Sequence, residues 1–515
     1  MIKCNSNIYV ELHFFFMNKK IKRFLYIFFS DLFFISATSL VFSVPWGLKN
    51  YPLHLTWNVF FVLASDTSGH DSGTARSIIF GFVIPTIAVY LLYCIVRYFL
   101  YKKNIKINIK KMFFANLIYF SVLLLVLICS TRLWSYFFIY KEVTSEPKSS
   151  AFYKENFLNY DDSVIIVPEN KRNLIMIFLE SMEPCYSDVE HGGVFKENLI
   201  PNLTKYGMNN INFSDSDLLG GGFNFAGTSW TVAGILSKMA AVPYFNPFKE
   251  YNGKLTCLKN AYTLNDYLAD QDYVQFFSMG SEKQFENRDL FLEDHHVEIH
   301  DIKWYKENKM IPEDYQVFWG FEDSKLYSMA KIELENLSNQ SKPFFFGMLT
   351  VDTHFPYGYV CDECKNELDS QMKNVVRCAD NQVGKFLDWI QNQEWFSNTT
   401  VVILGDHAYL DAPLNNFITE QGILPKKVIN SKRRFINIII NPVEELKEIK
   451  QKNRCYSSFD IMPTVLEALG NKFSKNGIGL GRSLFSDSET LVEKYGVEKL
   501  EKETMKNVIE YNKLK

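Results

Sequence analysis

A chain of 515 residues outgrows a single core, which rarely exceeds about 250–300 residues, so two regions are expected, and 47% hydrophobic with 22% charged residues averages over both. The net charge of −3 says nothing about partners. No long basic tract interleaved with aromatics occurs in the C-terminal two thirds, which excludes a nucleic-acid surface.

Three runs in the first 140 residues, Phe24 to Val44, Ile78 to Leu100 and Phe113 to Trp134, are apolar enough and long enough to cross a bilayer, which takes about 20 helical residues. Asp31, Pro85, Arg97 and Arg132 interrupt them. The two arginines sit near span ends and can snorkel, and Pro85 is tolerated in a membrane helix. Asp31 is the one intramembrane charge that either has a role or faces neighbouring helices.

Lys19, Lys20, Lys22 and Arg23 precede the first run, and five lysines from Lys102 to Lys111 separate the second from the third. The loop from Pro45 to Ser77 holds only Lys49 and Arg76. Positively charged short loops stay in the cytoplasm, so the chain after Trp134 is expected outside an inner (plasma) membrane that it crosses several times. The first apolar stretch is too long for a cleaved signal and no small-residue cleavage site follows, so it reads as an anchor. Domains are therefore expected as a membrane segment over 1–142, a linker over 143–172, an exterior globular domain over 173–490 and a charged helix or tail over 491–515. Outside the membrane, Cys361, Cys364 and Cys378 lie close enough to pair locally; the two-residue spacing of the first two also fits zinc or redox chemistry.

Past the linker, apolar β-rich runs alternate with helical patterns. Strands are predicted at Leu174 to Leu179, Val274 to Ser278, Phe344 to Val351, Val401 to Leu404 and Phe435 to Ile440. Helices are predicted at Ser229 to Met239, Leu264 to Asp270, Val375 to Asn392 and Phe459 to Leu469. Continuous apolar strands between helices predict an α/β fold, a mainly parallel sheet covered on both faces. Ligands then bind beyond the carboxyl ends of the strands. Glu180 follows the first strand, Asp352 and His354 the third, Asp406 and His407 the fourth. A lone carboxylate there is more often a cap, and a lone histidine a satisfied side chain; three such strand ends at one sheet edge are not so easily dismissed.

Gly220 to Gly234, GGGFNFAGTSWTVAG, runs from a glycine-rich loop into a helix. Such loops let backbone approach an anion, and the helix adds free N–H groups. Thr228 stands at the junction, where it or Ser229 also suits a plain helix cap. A threonine hydroxyl needs activation, and one carboxylate plus an Asp-His pair suits a divalent cation, with Mn²⁺ favoured over Mg²⁺ or Zn²⁺.

These words resemble the lipoteichoic acid synthase and phosphoglycerol transferase branch of the sulfatase and alkaline phosphatase superfamily, and most closely its glucan-modifying members. The resemblance runs from Asn173 to Phe485 and is carried by IFLESME (177–183), GTSWTVAG (227–234), VDTHFPYG (351–358), LGDHAYL (404–410), FDIMPTVLEALG (459–470) and GLGRSLF (479–485). It implies that Glu180, Thr228, Asp406 and His407 are metal ligands, with Thr228 also the nucleophile, Thr231 the next candidate for that role should Thr228 not serve, and His354 catalytic and substrate-binding. Arg288 in ENRDLF looks like the arginine that binds glycerophosphate, although Phe285 and Glu286 depart from the aromatic-rich wording of the synthases. Asp352 and Trp230 are expected beside the substrate. His295, His296 and His300 are expected at the surface or behind the site.

The resemblance further implies two transfers: threonine attacks the phosphorus of phosphatidylglycerol and releases diacylglycerol, and a glycan hydroxyl then takes the phosphoglycerol. Phosphoethanolamine transfer is the nearer alternative, and a non-catalytic envelope protein or a sulfatase-fold hydrolase the more distant one. Sulfate-ester hydrolysis is disfavoured because no exterior cysteine begins the C/S-x-P/S-x-R sequence of a sulfatase nucleophile: Cys185 and Cys455 are followed by Tyr-Ser-Asp-Val and Tyr-Ser-Ser-Phe.

Overall fold

The computed structural model describes residues 19–50, 79–128, 140–160, 165–354, 357–408, 412–447 and 453–515. Two compact units result, one of N-terminal helices and one globular. Most of the Pro45–Ser77 loop, the end of the third apolar run with Arg132, and Phe355, Pro356, Tyr409 and Leu410 of the motifs lie outside the described residues.

In the first unit α1 (Lys19–Asn50), α2 (Ile84–Lys102) and α3 (Ile109–Ile128) supply three spans long and apolar enough for a bilayer. Asp31 pairs with Arg97 at 2.5 Å. Asn116 Nδ2 donates to the Ser30 carbonyl and hydroxyl and to Tyr93 Oη at 3.0–3.1 Å. A charge too costly to leave alone among apolar helices is thus matched on the neighbouring helix.

The globular unit is built on a seven-stranded sheet. In chain order its main elements are β1 (Asn173–Leu179), β2 (Gly221–Gly222), α4 (Thr231–Ala240), β3 (Val274–Met279), α5 (Arg288–Asp294), β4 (Glu298–His300), α6 (Asp323–Ser338), β5 (Phe344–Leu349), α7 (Gln371–Gln391), β6 (Thr399–Gly405), β7 (Phe435–Ile440) and α8 (Ile461–Ala468). The strand order is β2-β7-β6-β1-β5-β3-β4. The run from β6 to β4 is parallel, and β7 is antiparallel to both its neighbours. Alternation along β1 sends Leu174, Met176 and Phe178 into one core and Ile175, Ile177 and Leu179 into the other. Both faces are apolar because both are covered, with α4 and α8 on one side and α6 and α7 on the other.

Three sequence expectations change. Gly221 and Gly222 do not form an anion loop: they pair with Ile436 and Phe435 of β7, and a Cβ on Gly221 would sit 1.8 Å from the Phe435 carbonyl oxygen. Only glycine lets this edge strand close on its neighbour. The region read as a linker contains a helix at Ala151–Asn156 whose Phe152 and Tyr153 are buried in the core. The segment expected as a charged helix or tail is helical at Leu491–Tyr495 and Val497–Thr504, but it belongs to the globular unit, with Leu491, Leu500, Met505 and Tyr511 packed into that same core. Cys364 and Cys378 form a disulfide, with the Cys361 sulfur 3.5 Å from that of Cys364; the pairing leaves one free thiol of the three.

Candidate active site

Strand register assembles the site. Leu179 of β1 is level with Gly405 of β6, so the next residues, Glu180 and Asp406, leave adjacent parallel strands side by side. Both are buried, as is His407. His407 Nε2 lies 3.7 Å from Glu180 Oε1 and 3.5 Å from Asp406 Oδ2. One ligand atom from each of the three residues lies within 4.8 Å of the others.

The surrounding bonds orient these groups. Asp406 Oδ1 accepts from the Ser181 and His407 amides at 2.8 and 2.7 Å, while Oδ2 has no hydrogen-bond partner among the described residues. Ser181, in the left-handed region at φ +50°, donates its hydroxyl to Glu180 Oε1 at 2.6 Å. Backbone strain of that kind persists only where surrounding contacts impose it. Thr353 Oγ1 donates to the Glu180 carbonyl at 2.6 Å, and the Glu180 amide donates to Thr350 Oγ1 at 3.0 Å. Burial and then the neighbouring Asp406 hold the Glu180 carboxyl well above the usual carboxylate range, and burial lowers the His407 imidazole. Two buried carboxylates and an imidazole, with one carboxylate oxygen unspent, fit a divalent cation.

The hydroxyl that reaches this cluster is Thr231, not Thr228. Thr231 opens α4 and donates to Glu180 Oε2 at 3.2 Å. Thr228 Oγ1 donates to the Phe225 carbonyl at 3.0 Å and accepts from the Phe225 amide at 3.1 Å, so its hydroxyl closes the turn before the helix. Asn224 ties that turn to the cluster, donating to the Thr228 carbonyl at 2.8 Å and accepting from the Ala408 amide at 2.6 Å. Helix α4 comes this close because Gly234 has no side chain: a Cβ there would lie 2.0 Å from the Asp406 carbonyl oxygen. Lys238, one turn on, is fully buried and donates to that same carbonyl at 2.5 Å; burial pulls its ammonium down to about 7.

The remaining expected residues divide. Arg288 begins α5, buried, with Nη2 donating to Ser281 Oγ and the Glu282 carbonyl at 2.6 Å and with Nε unpartnered among the described residues. It lies within electrostatic reach of Glu180, and burial lowers it to about 10. His354 packs its ring 4.7 Å from Trp319. Asp352 faces Asp323: burial and that neighbour push it up to about 10, and burial pushes Asp323 to about 7. Trp230, expected beside the substrate, is a core residue packed edge-on against Tyr244 at 5.1 Å. His295 and His300 are buried on Asp266 and Glu333, at 2.8 Å each, whereas His296 is exposed.

Ser181, Asn224 and Lys238 escaped the sequence reading, Glu286 entered it only as a departure from family wording, and Thr231 stood second to Thr228. The helical pattern was read from Ser229, two residues early; with the helix starting at Thr231, it is this hydroxyl that stands where N–H groups are free.

A model of the Sulfatase family matches residues 172–471, more than half of the chain. Phosphoglycerol transferase I of Escherichia coli (strain 55989 / EAEC) is 28% identical over 357 residues, 66% of this chain and 42% of the relative. The same values hold for phosphoglycerol transferase I of Shigella boydii serotype 18. The chain thus spans less than half the length of these curated relatives. Among solved structures, the integral membrane lipooligosaccharide phosphoethanolamine transferase A of Neisseria meningitidis has the same fold, at a TM-score of 0.50 and 14% identity, over 90% of this chain and 86% of its own.

Proposed function

This chain belongs to the Sulfatase family, and from that premise we propose that it is a membrane-anchored phosphoglycerol transferase that moves the headgroup of phosphatidylglycerol onto a hydroxyl of an envelope glycan. The carrying observation is the Thr231 hydroxyl on Glu180, beside buried Glu180, Asp406 and His407 groups whose ligand atoms lie close enough together to share one ion. Identity with the phosphoglycerol transferases supports the choice of headgroup. The lysine distribution supports a multi-pass inner-membrane anchor with the globular unit on the extracytoplasmic side.

Glu180, Asp406 and His407 would hold the cation; the mixed oxygen and imidazole donors favour Mn²⁺ or Zn²⁺ over Mg²⁺, and Mn²⁺ is the ion we assign. When bound, it would lower the pKa of the nucleophile and neutralise charge on the phosphoryl oxygens. The residues of the chain do the rest. Thr231 Oγ1, its direction set by the bond to Glu180, passes its proton to Glu180 Oε2 and attacks phosphorus; a Thr231 Oγ–P bond forms and the P–O bond to diacylglycerol breaks. Arg288 Nε is open to receive a phosphoryl oxygen. His354, on the loop after β5, protonates the departing alcohol. A glycan hydroxyl then gives its proton to His354 and attacks the glycerophospho-threonine; a glycan O–P bond forms, the Thr231 Oγ–P bond breaks, and Thr231 recovers its proton from Glu180. Because donor and diacylglycerol both stay in the bilayer, the three apolar helices keep the enzyme where its lipids are.

Full-length protein in detergent or vesicles is given phosphatidylglycerol or phosphatidylethanolamine, and diacylglycerol release is measured. Release from phosphatidylglycerol that is abolished by Thr231→Ala and retained by Thr228→Ala is expected. Release from phosphatidylethanolamine alone would replace the assigned donor, and undiminished release by Thr231→Ala would move the nucleophile.

A further inference from the structure

Two residues before Arg288 stands a carboxylate that the transfer steps leave unused. Glu286 is 6% exposed, and its Oε2 has no hydrogen-bond partner among the described residues. The carboxylate accepts from the amide of Val232, the residue after Thr231, and lies within electrostatic reach of both Asp406 and Arg288. It is therefore beside the nucleophile, at the open end of a ten-residue helix. Glu286 and Asn287 both occupy the left-handed region, at φ +56° each. Two consecutive residues with side chains rarely adopt it unless the fold requires those side chains where they are.

A simple ion pair does not account for this group. No hydrogen bond joins Glu286 to Arg288: Arg288 Nη2 is spent on Ser281 and Glu282, and its Nε is as unpartnered as Glu286 Oε2. A buried donor and a buried acceptor thus stand unspent in each other's field. A ligand that bears an anion and, a few bonds away, a hydroxyl proton satisfies both; neither group alone explains the other. An alkyl headgroup would leave Glu286 Oε2 unpaired. An ammonium carries three donors and would meet one open oxygen while sitting beside Arg288 and the cation cluster.

We infer that Glu286 is a specificity-determining residue that accepts a hydrogen bond from a hydroxyl of the transferred headgroup, with Arg288 holding the phosphoryl end of the same group. This rests on the phosphoglycerol transferase reading and names what in that site tells a polyol from other headgroups.

The test compares diacylglycerol release by full-length wild type, Glu286→Gln and Glu286→Ala from vesicles containing phosphatidylglycerol, phosphatidylpropanol or phosphatidylethanolamine. Phosphatidylpropanol keeps the phosphodiester and lacks the glycerol hydroxyls. Wild type is expected to prefer phosphatidylglycerol over phosphatidylpropanol by about tenfold or more in kcat/KM, the range for a hydrogen bond to a charged group. Glu286→Ala should bring that ratio to about 1 by losing phosphatidylglycerol turnover alone, and Glu286→Gln, with one neutral acceptor oxygen left for both the Val232 amide and the headgroup hydroxyl, should give an intermediate ratio. Phosphatidylpropanol turnover reports that each variant is folded and loaded. An unchanged ratio in Glu286→Ala, or equal loss on every donor, overturns the inference and leaves the transferase reading standing. A wild-type preference for phosphatidylethanolamine that Glu286→Ala removes reassigns the residue to an ammonium. A wild type inert on phosphatidylglycerol overturns the transferase reading and the inference with it.

Discussion

Replacing Glu180 by glutamine separates what the site needs for binding a cation from what the fold needs for stability. Glutamine preserves the volume and can keep accepting from Ser181 Oγ, while removing one of two carboxylates buried against each other. The Glu180 carboxyl is held well above its ordinary 4.5 in the folded protein, first by burial and then by Asp406. Without a cation, the folded state therefore retains a proton that the unfolded chain gives up. Stability changes with pH in proportion to protons bound by the unfolded state minus those bound by the folded state. That difference is negative above the ordinary value, so this contribution is fully present below it and is lost as pH rises toward the folded-state value.

One proton corresponds to about 1.4 kcal/mol per pH unit, or about 2 °C in the melting temperature of a domain of this size. Metal-free wild type should melt progressively lower between pH 5 and 8, and Glu180→Gln should flatten that slope by up to one proton's worth. At pH 8 the metal-free variant should be the more stable protein, and added Mn²⁺ should neither raise its melting temperature nor restore diacylglycerol release. Melting curves in chelator and in Mn²⁺ across that range measure both effects. A variant less stable than metal-free wild type at pH 8, with an unchanged slope, would refute the idea that the carboxylates are held together against their own repulsion.

Three other perturbations act at defined points. Arg433→Ala leaves the fully buried Glu183 without the guanidinium that donates to its Oε2 at 2.5 Å, and should cost about 3–5 kcal/mol, read from denaturant unfolding. Cys364→Ser opens the link to Cys378 across 14 residues and should cost about 3 kcal/mol on chain-entropy grounds, a loss that reductant should reproduce in wild type. Lys238→Met removes the donor to the Asp406 carbonyl while filling most of the space; it should cost about 1–3 kcal/mol and lower Mn²⁺ affinity in titration calorimetry by disturbing the Asp406 backbone.

Much of the architecture was legible because strands buried on both faces write continuous apolar runs. Phe435–Ile440 was predicted to the residue, and β1 lacks only its first position. Helix α6 was not foreseen: Asp323–Ser338 buries Leu326, Ala330, Leu334 and Leu337, but Met329 and the exposed Ile332 blur that stripe and no side chain caps its start. The edge strand Gly221–Gly222 was read as an anion loop because glycines that admit a neighbouring strand and glycines that admit a phosphate look alike in sequence. Glu180 and Asp406 could be matched because each follows an apolar strand directly, and parallel strands bring such ends together. Thr228 and Thr231 could not be separated by type or motif. The turn that spends the Thr228 hydroxyl on Phe225 exists only in three dimensions. Glu286 was noticed only as a departure from family wording, since its burial depends on a backbone conformation no propensity predicts.

The most direct test of the account is peptide mass spectrometry of full-length protein incubated with phosphatidylglycerol and Mn²⁺ without an acceptor, then quenched in acid. Glycerophosphate on Thr231, absent after chelation and absent from Asp406→Asn, is the predicted result. Glycerophosphate on Thr228, or modification that survives loss of the Asp406 carboxylate, would contradict it.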